Sequence, residues 1–420
     1  MKQDQDWHFP INTKTACTSK WSWSTIWLNA GQSSSCHRCK GFDIPRDDFA
    51  SFHNLPGKIK NRKDMLQGIW PGDGCEYCRD IEQTGGFSDR MHNNDIAGYA
   101  PLELKANPTE VYVTPTILEI FAENTCNFKC TYCNHELSSR IEQEVKQFGP
   151  INSENIKTLL PIADRKKLLD DFFDWLEDNV HKLVRLHLLG GETFIQHELM
   201  QRTLDILERN PSEGLQLCIF SNFNPPKKHF NNYIERIRYL WQQGNIGRFD
   251  LTASIDCWGP QAEYVRYGLN CDEFEENFAW AAEQPEEFLY LNVNQTVSSF
   301  TMKTMPDLIR MFNKYNEHRH IGHYAMLVDG YPFMRPEVFG YETWDSTWTR
   351  IYREMRSETM EDQQAIKILS GLQGVMRSNP THNTAEIKKL YKYFDEIDRR
   401  RNTHWRSLWP ELVLPRIDNE

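Results

Sequence analysis

From Glu110 onward, short apolar runs rich in Val, Ile and Leu alternate with longer amphipathic stretches, the pattern of repeated β-α units around a parallel sheet. The runs ILEIFAE from Ile117, VRLHLLG from Val184, LQLCIF from Leu215, FDLTASID from Phe249, LYLNVNQTV from Leu289 and HYAMLV from His323 predict six strands. Between them, DRKKLLDDFFDWLEDNV from Asp164, NNYIERIRYLWQQ from Asn231 and MPDLIRMFNKYNE from Met305 carry apolar residues three and four apart, as helices with one buried face do. Six such units make most of a β/α barrel, or an open sheet. In both, ligands bind at the C-terminal ends of the strands. The expected fold is α/β, a partial (β/α)6 TIM-like barrel over residues 110–335.

Before Glu110 the pattern changes. Trp, Gly, Ser, Pro and Cys dominate, periodicity is poor, and four of the first five cysteines form two C-x2-C pairs. Residues 1–109 therefore read as a small domain organised by metal rather than by a large core. After Pro336 the chain is charged and helical, with MEDQQAIKILSGLQGVM and NTAEIKKLYKYFDEIDRRR broken by SNPTHN; residues 336–420 form the expected C-terminal helical extension. No solenoid-length repeat or low-complexity tract interrupts this plan.

A chain of 420 residues is long enough for two units and an appendage. Its formal net charge of -11 and the lack of a basic tract longer than Arg399, Arg400 and Arg401 argue against nucleic acid as a partner, which needs cations facing phosphates. The start, MKQDQDWHFPINTK, lacks a charged segment followed by an apolar one, and no stretch approaches the roughly 18 apolar residues of a membrane span. The expectation is a cytoplasmic protein without a membrane partner. Eleven cysteines grouped at short spacings then point to metal ligation in a reducing compartment rather than to disulfides.

The loop after the first predicted strand, ENTCNFKCTYCN, sets Cys126, Cys130 and Cys133 at C-x3-C-x2-C. Three thiolates can each hold one corner of a cubane cluster and leave the fourth iron open to a cofactor or substrate. A zinc site borrowing His135, or three unrelated buried thiols, are the alternatives; C-x2-C pairs are the commoner zinc spacing. The loop, with aromatic Tyr132 before the third cysteine, resembles the defining motif of the radical S-adenosylmethionine (radical SAM) superfamily. The resemblance implies an open iron that chelates the amino and carboxylate groups of S-adenosylmethionine. It also implies reductive cleavage to methionine and a 5'-deoxyadenosyl radical, which abstracts hydrogen from a substrate.

The same resemblance orders the residues downstream. Gly190, Gly191 and Glu192 after the second predicted strand are similar to the family's Gly-Gly-Glu, where backbone approaches closely and a carboxylate accepts from the methionine ammonium; Thr193 stands where a proline is usual. Ser221 and Asn222 end the third predicted strand, and Ser254 and Asp256 the fourth, at positions where relatives place ribose- and carboxylate-binding groups. Arg266 resembles the family's cation for the cofactor carboxylate, a role suited to a guanidinium. Asn294, Gln295 and Thr296 on the fifth strand are further candidates for the same mouth. Singly, each has a plainer reading as turn, loop or surface cation. The resemblance spans approximately Thr116 to Val328.

Cys17, Cys36, Cys39, Cys75 and Cys78 precede the barrel, and two C-x2-C pairs with a fifth cysteine make a metal site, with zinc as the plain structural alternative. A lone cysteine, the Trp-rich WSWSTIWLNAG, Cys36 and a closing C-x2-C resemble the auxiliary-cluster domain called twitch, a shortened relative of SPASM. The resemblance implies a second 4Fe-4S cluster held by Cys17, Cys36, Cys75 and Cys78, with Cys39 as alternate. Cys218, Cys257 and Cys271 read as small buried hydrophobes. The implied whole is a radical SAM enzyme with two clusters, a reducing partner such as flavodoxin or ferredoxin, and a peptide or small-molecule substrate. An electron-transfer or scaffold protein that leaves S-adenosylmethionine intact, and a zinc-binding interaction protein, are the rival classes.

Overall fold

The computed structural model describes residues 11, 13–36, 38–72, 74–83, 85, 88–95, 100–151, 159–356, 360–378 and 381–414. Its strands are β1 (Trp23–Trp27), β2 (Gln32–Ser34), β3 (Phe42–Asp43), β4 (Ile117–Phe121), β5 (Arg185–Leu189), β6 (Ser212–Ser221), β7 (Ile246–Ser254), β8 (Leu289–Val297) and β9 (Ile321–Leu327). The longer helices are α1 (Pro56–Leu66), α2 (Glu76–Gln83), α3 (Ser139–Phe148), α4 (Ile162–Asn179), α5 (His197–Arg209), α6 (Lys227–Gln242), α7 (Cys271–Ala282), α8 (Met305–Asn313), α9 (Asp345–Glu354), α10 (Met360–Ser378) and α11 (Thr384–Arg401). Among the described residues no helix is long and apolar enough to cross a membrane.

The nine strands form one mostly parallel sheet in the order β9-β8-β7-β6-β5-β4-β1-β2-β3. All six strands read from the apolar runs are present, and from β4 to β9 neighbours in the sheet are successive in the chain. This is the singly wound order, with no switch of direction in the middle. β1 pairs in parallel with β4, Trp23 opposite Ile117, while β2 and β3 continue antiparallel. The N-terminal segment therefore adds three strands to the sheet, which the mixed Trp and Ser pattern did not predict.

The chain forms two compact units. The first comprises Met1–Glu123, Thr158–Cys218 and Ile234–Phe249; the second comprises Asn124–Lys157, Ile219–Tyr233 and Asp250–Glu420. In the first, α4 buries Leu168, Leu169, Phe172, Phe173 and Leu176, the three-four spacing of an amphipathic helix. α1 is different, because it buries Lys58, Asn61 and Arg62 beside Met65. In the second, the edge strand β9 is covered from α10: Gln364 Nε2 donates to Ala325 O and its Oε1 accepts from Ala325 N, both at 3.2 Å. One side chain thereby satisfies a backbone pair that an open edge would expose.

Candidate metal centres

In the second unit, the C-x3-C-x2-C loop is built by local hydrogen bonds. Ser138 caps α3 by accepting from Ile141 N and donates to Phe128 O at 2.7 Å, the usual use of serine at a helix start. Ser139 Oγ accepts from Cys126 N at 3.2 Å, and Phe128 N donates to Cys126 Sγ at 3.4 Å. Lys129 and Cys130 pair antiparallel with Tyr267 and Arg266. Gly268 follows at φ +114, where an added Cβ would lie 2.9 Å from Asn127 O, so the approach of the two segments requires glycine. Arg401 and Lys129 both bind Glu144, at 3.2 and 2.6 Å, with all three side chains largely buried; part of the Arg399–Arg401 run is thus structural.

Tyr132, Asp256 and Arg266 converge. The Asp256 carboxylate is 1% exposed and accepts from Tyr132 Oη at 2.6 Å, Arg266 Nε at 2.8 Å, Arg266 Nη2 at 2.9 Å and Thr296 N at 2.9 Å. Gln295 Nε2 donates to Asp256 O at 2.7 Å and meets His323 Nε2 through its Oε1 at 3.0 Å. Burial works against the Arg266 cation, but the Asp256 charge outweighs it and holds the guanidinium well above its usual range. Two nitrogens of Arg266 are thus committed to Asp256. Burial raises the thiol of Cys130 and pushes that of Cys133 up to about 12.

Ser221 and Asn222 close local turns. Ser221 Oγ accepts from Phe223 N, and Asn222 accepts from Asn224 N while its Nδ2 donates to Asn127 Oδ1 at 2.7 Å. Phe223, wholly buried, sits at φ +57, a conformation that costs a non-glycine residue energy and is held here by its neighbours. Ser254, last in β7, is half-buried.

In the first unit, Gly190 has φ +133, and a Cβ there would meet Glu123 O at 2.4 Å and Gln196 Nε2 at 2.8 Å. Gly191 N donates to Glu123 O at 3.0 Å, and Glu192 is fully buried, its Oε1 accepting from Phe194 N at 3.1 Å. Glycine at this turn is a steric requirement. Gln196 is 1% exposed, and neither atom of its amide has a partner among the described residues. A buried amide without partners normally awaits one. The Gly-Gly-Glu pattern draws attention to Glu192, not to this glutamine.

The five N-terminal cysteines, all in the first unit, line one cavity with Lys20, Arg38 and Arg90. Cys36 and Cys39 form a turn, their sulfurs 3.4 Å apart. Gly74, at φ +90, lets the segment carrying Cys75 approach that turn; a Cβ would lie 2.4 Å from Arg38 O and 2.9 Å from Cys39 Cα. Lys20 Nζ lies 3.1 Å from Cys39 Sγ. Hydrogen bonding from Cys36 and Cys75, then the Lys20 charge, holds the Cys39 thiol far below its usual range. Burial lowers Lys20, yet Cys39, Cys75 and Cys36 together reverse the effect and leave it raised. Cys39, the alternate ligand in the sequence, is thus the central thiol of the group.

Two chemical consequences follow. Among the described residues, no three His, Cys, Asp or Glu side chains converge closely enough to grip a single ion. Cubane ligands occupy separate corners, so a cavity ringed by spread thiols fits such a group in donor chemistry. The Cys36–Cys39 pair is closer, near the ~3.8 Å expected of two sulfurs 2.3 Å from one tetrahedral zinc. Cys218, Cys257 and Cys271 are buried. Compared with known proteins, the chain matches no family model and no curated relative.

Proposed function

We propose that the chain is a radical S-adenosylmethionine enzyme with a partial β/α barrel and an N-terminal auxiliary iron-sulfur site, working in a reducing compartment. The observation that carries this is the C-x3-C-x2-C loop itself, following β4 in a sheet whose strands β4 to β9 run in chain order. Cys126, Cys130 and Cys133 would hold a 4Fe-4S cluster, which with S-adenosylmethionine supplies reductive sulfonium cleavage and a hydrogen-abstracting radical. A flavodoxin or ferredoxin would supply the electron, and a peptide or small molecule the hydrogen.

The chain's own residues have defined tasks in this reading. The bond from Tyr132 to Asp256, backed by Arg266, fixes the residue between two cluster ligands and so limits loop motion. Within the first unit, Gly190 permits the close approach of the Glu123 carbonyl. Asp256 and Arg266 neutralise one another, so they orient rather than charge the site. At the N-terminal site, one observation favours zinc as a second reading: the 3.4 Å spacing of Cys36 and Cys39.

The test is anaerobic reconstitution with iron and sulfide, followed by dithionite and S-adenosylmethionine. Formation of 5'-deoxyadenosine, abolished by combined Cys126→Ala, Cys130→Ala and Cys133→Ala, supports the proposal; about eight irons per chain would mean two cubanes. Stoichiometric zinc with no 5'-deoxyadenosine would overturn it.

A further inference from the structure

Three basic side chains lie in the interior of the first unit, and burial holds Lys58 well below the usual range of an amine. Lys20 is 2% exposed, and Lys58 and Arg62 are fully buried. Lys58 Nζ has three acceptors, Ser24 Oγ at 3.0 Å, Ser33 Oγ at 2.7 Å and Ser34 O at 3.0 Å, the number an ammonium can serve. Arg62 donates to Lys20 O, Asn54 Oδ1, Val111 O and His53 O. All of these partners are neutral, and none of the three side chains is paired with a carboxylate among the described residues. Lys20 Nζ instead lies 3.1 Å from the sulfur of Cys39.

Buried charge is ordinarily paired, and a guanidinium cannot escape by losing its proton. The available anions are the thiolates of the adjoining cavity. A tetrathiolate centre is a net dianion whether its core is a zinc ion or an oxidised cubane, because both cores carry the same double positive charge. We propose that Lys20 is the built-in counter-charge of a net-anionic thiolate-ligated metal centre in the cavity of Cys17, Cys36, Cys39, Cys75 and Cys78. Lys20 is its direct electrostatic contact and the residue that sets its affinity and potential.

This deepens the auxiliary-site part of the proposed function and rests on it only in requiring a metal there. Two consequences separate it from a purely structural role for Lys20. Removing the Lys20 charge weakens metal binding for either core. It also disfavours the reduced, more negative state of an iron-sulfur core. Arg62 and Lys58 bolt backbone segments together, so Lys20 is the informative position.

The experiment uses the full chain carrying alanine at Cys126, Cys130 and Cys133, which confines metal to the N-terminal site. Wild-type Lys20, Lys20→Met, Lys20→Gln and Lys20→Arg are loaded with zinc alone and separately with iron and sulfide. Metal retention is titrated with a chelator, and the iron form's midpoint potential is followed by electron paramagnetic resonance.

Lys20→Met should lose about tenfold or more in retention of either metal. Its potential should fall by about the 59 mV of a tenfold one-electron shift, with Lys20→Arg close to wild type. Lys20→Gln, which keeps a polar group beside the sulfur without the charge, should weaken retention likewise, and it decides the matter if Lys20→Met does not fold. Retention and potential unchanged in whichever of the two variants folds would overturn the inference. Zinc held and iron refused would refute the auxiliary iron-sulfur reading alone, with the zinc arm then deciding; no metal held at all would refute both.

Discussion

Asp256 ties the second unit's cysteine loop to its strands, and removing it should be costly. Asp256→Ala leaves Arg266 charged and without its carboxylate, at side-chain exposures of 8% and 1% for the pair. Breaking a buried ion pair from one side costs about 3–5 kcal/mol. Here the same carboxylate also accepts from Tyr132 and Thr296 N, so we expect about 4 kcal/mol, with little solvent screening to reduce it. Removing both charges in Asp256→Ala with Arg266→Met should cost about 3 kcal/mol less than the two single effects added, because neither charge is then stranded. Tyr132→Phe, which deletes one donor and leaves the ion pair, should cost only about 1 kcal/mol. Urea titration by tryptophan fluorescence reads these differences, with the denaturant slope checked for constancy across variants. A cost below about 1 kcal/mol for Asp256→Ala, or additivity in the double variant, would refute the account of Asp256 as the latch.

Three further outcomes are expected. Gly74→Ala should abolish metal uptake at the N-terminal site and leave metal at Cys126, Cys130 and Cys133, since its Cβ would strike Arg38 O; metal analysis of each cysteine-knockout background separates the two sites. Gln196→Leu should leave the protein as stable as wild type or more so in urea titration, because a buried amide with no partner among the described residues is replaced by an apolar group of similar size. Burial pushes His323 from 6.5 down to about 4, so the unfolded chain takes up its proton first. The neutral form's contribution is complete above about pH 6.5 and is lost as pH falls toward 4, by about 3 kcal/mol at the lower end; His323→Gln should show a shallower loss of urea midpoint over that range.

The strands from β4 to β9 were legible because each carries a short cluster of apolar residues that the sheet buries, as Leu186, Leu188 and Leu189 are in β5. Their helices were legible by the complementary signal, a single apolar stripe. β1 was missed for a physical reason: Ser24 and Thr25 are fully buried in it, and Ser24 accepts from Lys58 rather than packing against carbon. α1 is equally opaque, since its inward face carries Lys58, Asn61 and Arg62. Hydrophobic periodicity cannot report a helix that points charge inward. The cysteine spacings drew attention to both sites, but the roles of individual side chains were less accessible. Arg266 reads in sequence as a free cation for a ligand carboxylate, whereas two of its nitrogens lie against Asp256, ten residues upstream.

The two cysteine groups are held by opposite electrostatic means, and this bears on what each can do. Around Cys130 and Cys133 the buried cations Arg266 and Arg401 are offset by Asp256 and Glu144, and burial raises both thiols. A centre assembled there gains little added positive charge from the protein, which favours a strongly reducing potential. Around Cys39 the balance is reversed: Lys20 touches the sulfur, and it has no carboxylate partner among the described residues. A centre assembled there is drawn toward its more negative, reduced state. If both sites hold iron-sulfur clusters, the N-terminal one should be the easier to reduce, and an electron would reach it before the cluster of Cys126, Cys130 and Cys133. Stepwise dithionite reduction followed by paramagnetic resonance, with each cysteine set deleted in turn, would show this order; the reverse order would mean that the buried cations do not govern the potential.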